Sequence, residues 1–248
     1  MQAALPVPVV LITRPEPAAR RFADQIADLG FRTVIAPLMR IVPVAHDPRL
    51  LDEARGLVFT SENAVRLVGP GRGRPAFCVG PRTGALARVA GFAVTEGPGD
   101  AAGLIPMLAG LGPGWVHARG AHVAAELPVP GVVVYDQLAL PMPPEGAAAL
   151  AGPGLVILPL FSPRAARIAA AAVAASRDAH AAPLALVPIS PAADAAWTAA
   201  WPPGTPAAPV SRVIADRPDA QGIRRAMMTL AATERPYRAR VEQRGPPV

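Results

Sequence analysis

The sequence predicts an α/β protein in which buried parallel strands lead directly into helices. Apolar runs of strand length alternate with helical patterns along almost the whole chain, which is typical of a parallel sheet covered by helices. One short unit also recurs, in which an apolar run is followed by a small polar residue or glycine and then by a helix start. The 248 residues, 52% of them apolar, suffice for one large or two modest α/β domains.

The repeated unit also predicts a binding surface. A capping residue before a proline or Asn-Ala is typical of a helix N-terminus, whose N–H groups and partial positive charge attract anions. In a parallel sheet these junctions share the carboxyl edge, where ligands bind. The pattern therefore indicates a ligand with several carboxylates or phosphates. The copies of the unit are Val9–Pro15, Leu57–Ala64, Ala76–Pro81, Phe161–Pro163 and Ile189–Pro191.

The first elements follow in a regular order. After the first strand, Pro17–Leu29 has the apolar spacing of a helix, and Gly30 is placed to end it. Thr33–Ala36 is the second predicted strand. The glycine-rich stretch Gly69–Gly73 follows a helix and precedes a strand, the wrong order for a dinucleotide-binding loop, so it is predicted to be a connector.

The second half repeats the strand–cap–helix pattern with two interruptions. Pro159 and Pro188 fall within the strands that lead to Ser162 and Ser190. Because proline cannot donate to a ladder, these strands are expected to be irregular or to lie at a sheet edge. The similarity between the two halves could reflect a repeat, or only the way α/β proteins are built.

Two extended, proline-bounded segments suggest how the domains are joined. Pro37–Pro43 and Tyr135–Pro141 have neither a helical period nor the length of a turn, and the two could pair as a connector between two lobes. The predicted division assigns residues 1–38 and 141–232 to a discontinuous domain and residues 39–140 to an inserted one. Residues 233–248 mix charge, proline and glycine and are expected to be a disordered tail.

Composition excludes several classes of enzyme and partner. The chain has no lysine, and all 24 basic side chains are arginines, which excludes Schiff-base and pyridoxal-phosphate enzymes and Walker-type phosphate loops. Its single cysteine, Cys78, rules out a disulfide framework and fits a reducing cytoplasm. The net charge of +6 is dispersed rather than clustered with aromatic residues, which favours a small anionic ligand over nucleic acid.

Metal and membrane sites are also not expected. The four histidines, His46, His117, His122 and His180, lack metal-ligand spacing with one another and with Cys78. The sequence has no recognisable targeting segment and no apolar run long enough to span a bilayer, so a cytoplasmic protein is expected.

The order of the motifs resembles the uroporphyrinogen-III synthase family over about residues 7 to 230. The resemblance rests on six segments in this order: Val10–Pro15, Phe59–Val65, Phe77–Leu86, Ala118–Gly120, Tyr135, and the junctions at Ser162 and Ser190. It implies two flavodoxin-like lobes with parallel sheets, joined by a two-segment extended connector.

The resemblance further implies a cyclising hydro-lyase of heme, siroheme, cobalamin and chlorophyll biosynthesis. Such enzymes take hydroxymethylbilane, a linear tetrapyrrole with eight carboxylates, remove its terminal hydroxyl, invert ring D through a spiro intermediate and close the macrocycle. The implied enzyme needs no cofactor or metal, acts as a monomer without nucleic acid or membrane, and contacts hydroxymethylbilane synthase transiently. The substrate's carboxylates match the anion-binding edge predicted above.

Candidate site residues follow from the motifs and the resemblance. Loss of hydroxide benefits from a proton donor, and Tyr135 is the candidate because the other tyrosine, Tyr237, lies in the tail; alternatively, its ring packs between the lobes. The serines and Thr83 could donate to substrate carboxylates or could simply cap helices. The substrate-binding candidates are Arg14, Ser61, Asn63, Gly80, Arg82, Thr83, Arg119, Gly120, Ser162 and Ser190.

Two other functions remain open from the sequence. A bilobed cytoplasmic module could bind a smaller anion at the same helix ends without catalysis. A regulatory domain of flavodoxin type would need clustered acidic residues at strand ends, and the sequence shows none there.

Overall fold

The computed structural model describes residues 7–123, 125–176, 181–206 and 208–233. It divides into two compact units, Met1–Arg40 with Ala139–Val248 (unit 1) and Ile41–Leu138 (unit 2). The chain therefore crosses from one unit to the other twice. The predicted disordered tail lies outside the described residues, apart from Thr233, which ends a helix.

Strands and helices alternate along the chain. In order they are β1 (Val9–Ile12), α1 (Glu16–Gln25), β2 (Arg32–Ile35), β3 (Met39–Pro43), α2 (Arg49–Asp52), β4 (Gly56–Phe59), α3 (Glu62–Val65), β5 (Pro75–Cys78), α4 (Pro81–Val89), β6 (Ala93–Glu96), α5 (Ala101–Leu108), β7 (Trp115–Gly120), β8 (Gly131–Ala139), α6 (Pro144–Leu150), β9 (Val156–Leu160), α7 (Pro163–Ala175), β10 (Leu184–Pro188), α8 (Pro191–Ala200), β11 (Ser211–Arg212) and α9 (Ala220–Thr233).

Unit 1 is built on a parallel sheet with the strand order β11-β10-β9-β1-β2. Successive residues of a strand face opposite sides of the sheet. Leu11 and Leu158 belong to the core on one face, and Val10 and Ile157 to the core on the other. Because both faces are covered, the three inner strands β1, β9 and β10 are continuous apolar runs, as the sequence predicted.

The expectation that Pro159 and Pro188 mark irregular or edge strands is wrong. β9 lies in the interior of the sheet, and its register with β10 is regular through both prolines. The Leu160 carbonyl accepts a hydrogen bond from Ile189 N, on the side of β10. Because successive residues of a strand bond to opposite neighbours, the ring nitrogen of Pro159 faces β1. The pairing of β1 with β9 already ends at Val10 and Ile157, so no hydrogen bond to β1 is lost at Pro159. Pro188 faces the short edge strand β11 in the same way. Each proline thus lies where a neighbouring ladder stops.

Unit 2 has the strand order β3-β8-β7-β4-β5-β6, and the five strands from β8 to β6 run parallel. One core contains Phe59 and Cys78, and the opposite face carries Val58 and Trp115. A β-bulge interrupts the register of β7 with β8 between Arg119 and Gly120.

The two extended segments predicted from the sequence pair with each other. Val44 N donates to Val134 O at 3.0 Å, and Leu140 N donates to Leu38 O at 2.8 Å. The residue numbers rise along one strand as they fall along the other, so β3 and β8 run antiparallel.

The first helix also follows the prediction closely. α1 is succeeded by a 3-10 turn over Ala27–Leu29, and Gly30 ends it with a φ of 73°. This left-handed backbone explains the glycine at that position. Gly69–Gly73 is a connector between α3 and β5, as predicted.

Candidate functional site

The candidate residues of unit 2 lie at the carboxyl edge of its sheet. Ser61 follows β4, Gly80 follows β5, and Gly120 ends β7. Tyr135, in the middle of β8, pairs with Gly120 and so lies at the same level. Because these strands are parallel, the structure brings all four residues to one edge.

The candidate serines cap helices in both units. The oxygens Oγ of Ser61, Ser162 and Ser190 accept hydrogen bonds from main-chain N–H groups of the first turns of α3, α7 and α8, at 3.2, 3.1 and 3.3 Å. The capping role anticipated in the sequence is therefore present. Since capping uses the oxygen as acceptor, each hydroxyl proton is the group it can offer to a carboxylate.

The N-terminus of α4 is built differently. Its cap is Gly80, which has no side chain to bond the first-turn N–H groups, and Pro81 opens the helix. A Cβ at Gly80 would lie 3.2 Å from Gly99 Cα, so the chain after β6 passes close to this helix end. Arg82 and Thr83 form the first turn, Arg82 half-exposed and Thr83 buried. An uncapped helix N-terminus beside an arginine is suited to an anion.

Arg82 is held by a carboxylate from the neighbouring helix. Glu62 is the first residue of α3. Its Oε1 atom lies 3.3 Å from Arg82 Nη2, and its Oε2 atom lies 3.7 Å from Arg66 Nη2. Glu62 stands between Ser61 and Asn63 in the sequence, so its ion pair brings the side chain of Arg82 close to these two candidate residues. The pairing of Glu62 with Arg82 was not predicted, because these two residues are 20 positions apart in the sequence.

Gly120 and Tyr135 are in direct contact. A Cβ added to Gly120 would lie 2.6 Å from Tyr135 Cζ and 2.9 Å from the phenol oxygen. The backbone of Tyr135 is fixed nearby, because Ala121 N donates to its carbonyl at 2.9 Å. Tyr135 is 5% exposed and belongs to the core of unit 2. The tip of its ring thus lies over the end of β7.

A buried histidine lies at the same end of the sheet. His117 Nε2 and Thr60 Oγ1 are 2.9 Å apart, a hydrogen bond whose direction depends on the tautomer. Burial, with a smaller contribution from the charge of Arg119, lowers the pKa of His117 to about 4, so the ring is neutral at pH 7. Sequence reasoning assigned His117 no site role, although Thr60 directly precedes Ser61.

Arg119 lies against the backbone of the adjacent strand. A Cβ at Gly131 would lie 2.5 Å from Arg119 Nε, and Arg119 Nη1 donates to Gly120 O at 3.4 Å. The Nε atom is buried and has no hydrogen-bond partner among the described residues.

In unit 1, Arg14 packs on an aromatic ring. Its guanidinium lies 4.0 Å from the ring centroid of Phe161, a cation–π contact. Phe161 in turn makes an edge-to-face contact with Phe22, at 4.8 Å between centroids. Because Phe161 directly precedes Ser162, this contact places Arg14 near the N-terminus of α7. Ser190 follows the adjacent strand β10, so Arg14, Ser162 and Ser190 share the carboxyl edge of unit 1.

Metal-binding and membrane-spanning features are both absent from the part of the chain that the structure describes. Within it, no group of three or more His, Cys, Asp or Glu side chains could hold a metal ion. In the same residues, no helix is long and apolar enough to cross a membrane. His180 lies outside them. Cys78 is fully buried, and desolvation raises the pKa of its thiol to about 12.

The comparisons with known proteins give one family. The family model described as "Uroporphyrinogen-III synthase HemD" matches residues 20–203. A search of the curated proteins gives no significant match.

Solved structures of such synthases also match. The uroporphyrinogen-III synthetase from Helicobacter pylori has a TM-score of 0.55 at 15% identity, covering 91% of this chain and 100% of that one. A mutant synthase from Thermus thermophilus has a TM-score of 0.48 at 16% identity, covering 90% and 100%. The Helicobacter pylori match shows a shared fold, and the family match covers most of the chain, including residues of both units. The chain belongs to the uroporphyrinogen-III synthase family, the cyclising lyases of tetrapyrrole biosynthesis.

Proposed function

We propose that this chain closes hydroxymethylbilane to uroporphyrinogen III, using Tyr135 as proton donor and the strand-end residues of each unit to hold substrate carboxylates. The observation that carries the proposal is the family match over residues 20–203, which includes every candidate site residue except Arg14. The contact of Tyr135 with the end of β7 supports its position beside the other candidates.

Carboxylate binding rests on the geometry of each sheet edge. In unit 2 the uncapped N-terminus of α4, with Arg82 and Thr83 in its first turn, binds one carboxylate, and Ser61 and Asn63 at the start of α3 contact another. In unit 1 the groups are Arg14 and the hydroxyls of Ser162 and Ser190. The remaining proposed binding residues are Gly80, Arg119 and Gly120. A helix end contributes only ~0.3–1 kcal/mol, so affinity comes from several such contacts on an eightfold anion.

Tyr135 acts when the terminal carbon–oxygen bond of the substrate breaks. Its phenol gives a proton to the departing hydroxyl, which leaves as water, and the phenolate recovers the proton that is released as the macrocycle closes. The protein needs no strong nucleophile, since holding the two ends of the linear substrate together supplies much of the acceleration. The glycine at position 120 leaves room for the phenol at this point.

The proposal extends to the setting of the enzyme. We expect a monomer in the cytoplasm that receives its unstable substrate through a transient contact with hydroxymethylbilane synthase. The family's biosynthetic role supports this setting.

The test is the isomer formed from fresh hydroxymethylbilane. Purified chain should yield uroporphyrinogen III, identified as its oxidised porphyrin, at a rate proportional to the amount of protein. Isomer I alone, at the rate of the spontaneous reaction, would contradict catalysis and favour the anion-binding module. The chain boiled before the assay is the control.

A further inference from the structure

We infer that Gly120 is a positioning residue for Tyr135: the lack of a side chain at the end of β7, opposite the bulge in β8, fixes where the phenol hydroxyl lies. The inference rests on the proposed role of Tyr135 and gives Gly120 a second function, besides the substrate contact proposed above. Its basis is geometric, because three atoms at the tip of the ring occupy the space that a Cβ at Gly120 would need.

The contact is too close for any other residue at position 120. The built Cβ lies 2.6 Å from Tyr135 Cζ, 2.7 Å from Cε2 and 2.9 Å from the hydroxyl oxygen, all shorter than real Cβ contacts. The φ of Gly120 is not in the left-handed region, so the glycine is required by the approach of the ring and not by the backbone. An alanine would therefore have to displace the ring.

The backbone around the ring leaves little freedom to absorb that displacement. Ala121 N donates to the Tyr135 carbonyl, and the register of β7 with β8 shifts between Arg119 and Gly120. A β-bulge of this kind commonly re-aims a side chain beside a site. Tyr135 is also packed into the core of unit 2. The ring must then rotate about its side-chain bonds, which moves the hydroxyl.

Gly69 provides a matched control for the substitution. It lies in the connector between α3 and β5 of the same unit, its φ is not left-handed, and a Cβ there would have nothing within 4 Å. Gly69→Ala thus makes the same chemical change in the same unit without touching the ring.

The kinetic test compares Gly120→Ala with Gly69→Ala in the hydroxymethylbilane assay. Because a general acid contributes roughly 10²–10⁴-fold, misplacing it should lower kcat by about tenfold or more, with KM within about twofold. In a Tyr135→Phe background, Gly120→Ala should lower kcat by less than about twofold further. Equal kcat for the two alanine variants, a rise in KM alone, or the same tenfold loss in the Tyr135→Phe background would overturn the inference.

A second readout does not depend on activity. Tetranitromethane nitrates accessible phenols, and peptide mass spectrometry separates Tyr135 from the chain's other tyrosine, Tyr237. Nitration of Tyr135 should be several-fold faster in Gly120→Ala than in Gly69→Ala. If unsubstituted chain makes no isomer III while this difference appears, the proposed function fails and the contact stands; unchanged nitration removes the contact itself.

Loss of folding would also be informative. Should Gly120→Ala be too unstable for the kinetic assay, the drop in Tm that it causes is measured in two backgrounds. One background keeps Tyr135, and the other carries Tyr135→Val, which lacks the ring. Gly120→Ala should lower Tm much less in the Tyr135→Val background than in the chain that keeps Tyr135. An equal cost in both backgrounds would show that the ring is not what the alanine meets, and would overturn the inference.

Discussion

His117 makes the acid stability of unit 2 predictable. Its pKa is lowered from 6.5 to about 4 by burial and by Arg119. At pH values between about 4 and 6.5, the unfolded chain binds a proton on His117 that the folded chain does not bind. The free energy of unfolding therefore falls as pH falls through this window and is constant above it. At ~1.4 kcal/mol per pKa unit the whole effect is about 3 kcal/mol, of which about 2 kcal/mol is lost by pH 5.

The perturbation is His117→Gln, whose amide can still bond Thr60 but does not titrate. Urea unfolding at pH 7, 6 and 5 gives the free energies, and hydrogen exchange of β7 peptides reports unit 2 alone. Between pH 7 and 5 the unsubstituted chain should lose about 2 kcal/mol more than the variant, because other groups titrate in both chains and cancel. If the difference in unfolding free energy between the two chains stayed constant from pH 7 to pH 5, the buried, neutral state of His117 would be refuted.

Three further outcomes follow from the described contacts. Ser162→Ala should cost about 1 kcal/mol of unfolding free energy, measured by urea unfolding, because it removes the cap of α7. The Cys78 thiol, with its pKa raised to about 12, should react with Ellman's reagent at pH 8 only after unfolding; rapid reaction of the folded chain would contradict its burial. Arg224→Ala should lower Tm measurably because it breaks a two-point contact with Asp28, whereas Arg20→Ala, on an exposed pair within one helix, should leave Tm unchanged.

More of the fold than of the candidate site could be predicted from the sequence. The alternation of apolar runs and capped helices predicted the parallel sheets, because a buried strand and a capped helix start are local patterns. The extended segments at Pro37–Pro43 and Tyr135–Pro141 were recognised for the same reason. The prolines of β9 and β10 misled the prediction, because whether a proline disturbs a sheet depends on which neighbouring strand its nitrogen faces. That information belongs to the ladder and not to the sequence.

Within the site, local and long-range features differ in the same way. The serine caps could be predicted because each bond spans two or three residues. The bond of Thr60 to His117 joins residues 57 positions apart, and the bulge that sets Gly120 under Tyr135 exists only when β7 and β8 pair. The resemblance to the family named Tyr135 and Gly120 separately, whereas only the structure shows that they touch.

The proton-donor role of Tyr135 is tested most directly by comparing the kcat of a Tyr135→Phe variant with that of the same substitution at the other tyrosine. The chain has only two tyrosines, so Tyr135→Phe and Tyr237→Phe remove the same oxygen from each in turn. With hydroxymethylbilane as substrate, Tyr135→Phe should lower kcat by about 10²-fold or more while the protein stays folded, and Tyr237→Phe should keep the unsubstituted rate. Equal kcat values for the two variants would contradict the role.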